Sequence, residues 1–189
     1  GEHTAELLDT IRATPKREGP PSLEPSSEAP LAGIKIADFS WFMVGPMTVK
    51  PFADFGAQVI HVESSIRIDG QRFSGPFQGD VPDPERCGDY AQVRTGNRSI
   101  AIDLGSPEGL AIAKRLVAWA DIVFDNFAAG TMGRLGLGYE ALREVNPEII
   151  VLSCSGQGQT GPHAAAKGGG GHFAALAGLN ELTGWSEGE

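Results

Sequence analysis

The chain has 189 residues and 26 glycines, about twice the roughly 7% share of an average protein. Acidic residues outnumber basic ones 24 to 15, for a formal charge of −9, which argues against a general nucleic-acid binder but leaves room for one anionic small ligand on a few local cations. Hydrophobic residues at 41% and charged residues at 21% are those of a folded globular chain. Cys87 and Cys154 are too few for a disulfide scaffold and stand in no zinc spacing. No apolar run approaches the roughly 20 residues that span a bilayer. The start, Gly1-Glu2-His3-Thr4, is polar and lacks methionine, which fits neither a signal peptide nor a native start. The expected setting is reducing and cytoplasmic, without metal, membrane or nucleic acid.

Residues 1–12 place Leu7, Leu8 and Ile11 on one side of a short amphipathic helix. Residues 13–30 hold Pro15, Pro20, Pro21, Pro25 and Pro30 among polar residues, the composition of an extended linker. Ile34–Phe39 reads as a strand, 46–56 as a helix that Pro51 should start or kink, and Gln58–Val62 as a second strand. Ser106-Pro107-Glu108 is a helix start, combining a hydroxyl cap, proline in the first turn and an acid at the positive end. Leu110, Ala113, Leu116 and Val117 continue it as an apolar stripe ending near Trp119. Asp121–Phe124 reads as a strand, 139–145 as a helix and Ile149–Ser153 as a strand. Strands separated by helices imply an α/β fold: a Rossmann-like, mostly parallel sheet with helices on both faces.

Ten of the 26 glycines lie between Gly156 and Gly188, including the run Gly168–Gly171. The stretch reads either as a flexible surface loop or as backbone freed for close approach to a ligand. Gly156-Gln157-Gly158-Gln159-Thr160-Gly161 satisfies GxGxxG after a strand, but Pro162 follows where a dinucleotide fingerprint needs a helix to open. His163 and His172 flank the run, and no GxSxG elbow is present. Arg67, Arg94 and Arg98 are available to phosphates, with Asp80, Asp83, Glu85 and Asp89 offsetting them nearby. Residue chemistry alone thus reaches a ligand-binding α/β domain with a glycine-rich loop.

Five ordered stretches over residues 31–184 together resemble the family III CoA-transferases of the CaiB/BaiF type. Leu31–Ser40 with Gly45-Pro46 looks like that family's opening strand and loop, and Ala53–Glu63 is similar to its "ADLGADVIKVE". Gly96–Leu104 matches "GKRSVTLDL", Asp125–Gly130 with Arg134–Tyr139 resembles "ENFRPG…RLGLGYE", and Ser155–Pro162 reads as "SGFGQTGP" with one change.

The resemblance implies a Rossmann-like large domain that takes coenzyme A, or acyl-CoA, as substrate and a carboxylic acid as acceptor. It also implies pairing with another CoA-transferase-like domain or an interlocked homodimer. Carried over by position, CoA contacts fall on Phe42, Met43, Val44, Asn97, Asn126, Phe127, Arg134 and Leu135. The basic residue that follows the glutamate of "KVER" is Ser64 here, with Arg67 as the candidate replacement. The family nucleophile is an aspartate that attacks the acyl-CoA thioester. Counted without gaps from Pro162, its position is Gly170, so no catalytic residue is assigned in this copy.

Gly1–Leu8 resembles "LGEHTDEVL" near the end of the same family's domain. The order therefore reads as residues 1–12 closing one domain, 13–30 a linker, and 31–189 opening a second, as in a tandem protein whose visible copy is a CoA-binding or structural partner. The competing expectations are an acyl-CoA racemase or lyase using His163 or His172, and a dinucleotide-binding oxidoreductase resting on Gly156–Gly161.

Overall fold

The computed structural model describes residues 29–184; the helix expected over 1–12 and nearly all of the 13–30 linker lie outside them. Five strands follow one another as β1 (Lys35–Asp38), β2 (Gln58–Glu63), β3 (Arg98–Ala101), β4 (Ile122–Asp125) and β5 (Ile150–Ser153). They form one sheet in the order β3-β2-β1-β4-β5, and every ladder is parallel. The chain therefore starts in the middle, winds outward to β3, and returns through β4 to β5. This is doubly wound topology with its switch point between β1 and β4.

Parallel neighbours need crossovers. α1 (Val44–Asp54) joins β1 to β2, a run of short turns with α2 (Gly88–Val93) leads to β3, and α3 (Pro107–Trp119) joins β3 to β4. α4 (Thr131–Arg134) and α5 (Tyr139–Val145) join β4 to β5, after which come α6 (Gly170–Leu176) and α7 (Leu179–Thr183). Side chains alternate across each strand. Ala37, Phe39 and Val123 face a core closed by Ala113 and Val117 of α3 and Leu142 of α5. Ile36, Val59 and Phe124 face the opposite core, closed by Val49 of α1. A sheet covered on both sides explains why Ile36–Phe39 reads as a continuous buried run.

Local chemistry sets several element ends. The Ser106 hydroxyl accepts a hydrogen bond from the Gly109 N–H at 3.0 Å, with Pro107 and Glu108 in the first turn. Pro51 differs from expectation, because it sits inside α1. It is exposed to solvent, and because proline has no N–H the Met47 carbonyl lacks its donor four residues on. The Gly168–Gly171 run also departs from a pure loop, since α6 starts within it. Among the described residues no helix is long and apolar enough to cross a membrane.

Candidate functional site

The carboxyl ends of β1 to β4 open on one side of the sheet, beside the switch point, where open α/β sheets bind ligands. A cavity of about 340 Å³ lies there. Its walls come from Phe39 and Trp41 after β1, Val62 to Ser64 and Arg67 at the end of β2, Ile102 to Gly105 after β3, and Phe127, Thr131 and Leu135 after β4. The lining is mainly apolar with a few polar groups, the usual chemistry of a small-molecule site. Among the described residues no cluster of His, Cys, Asp and Glu is placed to hold a metal ion.

The loop after β1 is held by side chains from three other segments. Asn126, just past β4, accepts from the Trp41 N–H at 2.8 Å and donates its Nδ2 to the Trp41 carbonyl at 2.7 Å. The indole meets the Phe127 ring edge-on, with centroids 5.9 Å apart. Gly45 makes this approach feasible: a Cβ there would overlap the Ser40 side chain and lie 3.1 Å from Asn126 Cγ. The glycine of the Gly45-Pro46 pair thus lets the start of α1 close on the loop.

Beneath the loop lies a buried ionic cluster. Asp38, fully buried, pairs with Arg94, and His61 Nδ1 lies 3.5 Å from its carboxylate. Burial pushes the Asp38 carboxyl up, but His61, Arg94 and Ser40 outweigh it and hold it below the usual carboxylate range. At the cavity wall, Glu63 is likewise pushed up by burial and pulled further down by Ser99, Arg72 and Tyr90. Arg72 grips it with two donors at 2.9 and 3.0 Å. Asp125 behaves oppositely: burial raises its carboxyl, and hydrogen bonds from Ser153 and the Phe127 N–H do not compensate.

The structure brings Phe127 and Leu135 into the cavity lining, and Asn126 beside it as the clamp on Trp41. Arg134 stands at the rim, its guanidinium donating to Thr131 Oγ1 at 2.8 Å. Phe42, Met43 and Val44 do not line the cavity; they continue the Trp41 loop and are exposed by 57%, 38% and 59%. Asn97 stands at the amino end of β3, away from the lining, with both side-chain polar atoms buried. Sequence reasoning missed Phe39, Trp41, Glu63, Ile102 and Thr131 as wall residues. The available signal for Phe39, Glu63 and Ile102 was their place at, or one residue past, the carboxyl end of a strand; Trp41 and Thr131 lie three and six residues past one.

The glycine-rich segment does not have the geometry of a dinucleotide fingerprint loop. Gly161 lies in a turn and the next helix begins only at Gly170, so no helix opens on the GxGxxG. A Cβ at Gly156 would overlap the Phe173 ring, which ties the loop after β5 to α6. His172 Nδ1 accepts from the Gly169 N–H at 3.1 Å, which spends that nitrogen on the helix start. At Gly170 a Cβ would meet nothing within 4 Å, and the backbone is in an ordinary helical region.

The model of CoA-transferase family III matches residues 31–189. The chain belongs to that family. It is 37% identical over 167 residues to the succinate–glutarate CoA-transferase of Agrobacterium fabrum, covering 87% of this chain and 42% of that protein. It is 35% identical over 172 residues to the human succinyl-CoA:glutarate CoA-transferase, covering 90% and 38%. A CaiB/BaiF family protein from Brucella suis superposes with a TM-score of 0.76 at 34% identity, over 86% of this chain and 43% of that one. The family III chain thus spans less than half the length of these relatives.

Proposed function

We propose that residues 31–184 are the coenzyme A-binding portion of a CoA-transferase that moves CoA between an acyl-CoA and a carboxylic acid, and that this copy supplies no nucleophile. What carries the reading is the cavity at the switch point, where Phe127 and Leu135 stand with Arg67. An apolar chamber suits the adenine and pantetheine parts, and the guanidinia of Arg67 and, at the rim, Arg134 suit the phosphates. Arg67 takes the role of the cation that Ser64 lacks. Glutarate and succinate transferases are among the relatives, so a dicarboxylic acyl group is the proposed cargo.

Gly170 has no group to attack a thioester, so any acyl-aspartyl intermediate forms on another CoA-transferase-like domain that carries the aspartate. The test is to incubate the full-length protein with succinyl-CoA, trap covalent acyl-enzyme with hydroxylamine or borohydride, and map the modified peptides. Residues 158–184 are expected to stay unmodified while CoA binds. A trapped adduct within them overturns the assignment of this copy as nucleophile-free.

A further inference from the structure

Four successive backbone polar groups above the cavity are each held by a side chain. Arg94 donates to the Ser40 carbonyl at 2.6 Å, Asn126 takes both the N–H and the carbonyl of Trp41, and the Asp69 carboxylate accepts the Phe42 N–H at 3.1 and 3.2 Å. Phe42 has φ of 56°, a left-handed conformation rare outside glycine. Such a residue persists only where its surroundings over-determine it. Its ring lies on Gly70, where a Cβ would come within 2.6 Å.

Arg94 ties this arrangement together. It is buried, its other terminal nitrogen pairs with Asp38, and the nitrogen on the Ser40 carbonyl also lies 3.7 Å from Asp69. The Tyr90 ring lies below it, 5.8 Å from the guanidinium carbon. One planar fork therefore reaches the end of β1, the Trp41 loop and the segment after β2. An ammonium could not span that set. Buried ion pairs add little net stability relative to apolar packing, and their best-attested use is to select one conformation. Here the conformation selected is the one that turns the Trp41 ring into the cavity wall and against Phe127.

We infer that Arg94 is a positioning residue which, with Asp69, fixes the Trp41–Phe42 segment over the cavity and thereby sets its affinity for coenzyme A. The inference rests on the CoA reading above. Its test is a calorimetric titration of the full-length protein with CoA, comparing the parent with Arg94→Lys, Trp41→Ala and the double variant. Arg94→Lys is expected to fold and to bind CoA about tenfold more weakly. Trp41→Ala is expected to weaken the parent by a similar factor but to add less than about twofold on the Arg94→Lys background.

Unchanged affinity in Arg94→Lys, or fully additive losses in the double variant, overturns the inference while leaving the CoA reading intact. Should Arg94→Lys fail to fold, Asp69→Asn preserves the Arg94–Asp38 pair and weakens the hold on Phe42 together with the Asp69 contacts to Arg94 and the Gln71 N–H. Unchanged affinity there is equally fatal. No binding of CoA by the parent overturns the reading, and the inference falls with it.

Discussion

At the scale of single residues, the carboxylates around the cavity carry opposite signs of pH dependence. Asp38 has a folded-state value below its ordinary one, so its contribution is present above the unfolded value of about 3.9 and is lost as pH falls through the lower folded value. Asp125 has a raised value, so its contribution is present at low pH and is lost as pH rises through the raised folded value. Asp38→Asn leaves the buried Arg94 with only Asp69, 3.7 Å away, as a charge partner and is expected to destabilise by about 3 kcal/mol at pH 7, the lower end for a broken buried pair. That deficit should shrink as the pH drops below about 4, where the unfolded parent chain takes up a proton that the folded carboxylate still resists. Denaturant unfolding at pH 7 and pH 3 measures it. An equal deficit at both values would mean that the ionised carboxylate is not what the variant removes.

At the scale of elements, legibility in the sequence followed the range of the interactions. The start of α3 could be read because Ser106, Pro107 and the Gly109 N–H are neighbours in the chain. The start of α6 could not, because four glycines carry no helix signal and the helix is tied down by Phe173 lying on the distant Gly156. The site divides the same way. Phe127 and Leu135 of the cavity wall sit in recognisable stretches, whereas Trp41 and Thr131 come together there only through parallel strand order. The geometry of α6 also makes position 170 a clean experimental subject. A side chain at 170 has open space and an acid suits the first turn of a helix. Gly170→Asp should therefore be stable to within about 1 kcal/mol of the parent, or slightly better through loss of unfolded-state freedom. A thermal midpoint lowered by more than a few degrees would mean that position 170 is crowded in the full protein.

At the scale of the molecule, the doubly wound sheet divides the chain into a part that surrounds the cavity and a part that does not. The ends of β1 to β4 and the segments that follow them share the cavity wall, so a ligand there binds four crossover units at once. β5, α6 and α7 contribute none of the lining, and Leu176 and Leu182 are exposed by 71% and 81%. Ligand binding stabilises what it touches by mass action, about 2.7 kcal/mol at a hundredfold excess over the dissociation constant. Amide exchange then slows most where local opening would break the site. With free CoA, slower hydrogen exchange is expected over residues 39–44, 62–67, 102–105 and 127–135, with little change over 170–183. Protection concentrated in 170–183 would instead put the ligand against the glycine-rich helix and remove the basis for assigning the switch-point cavity to CoA.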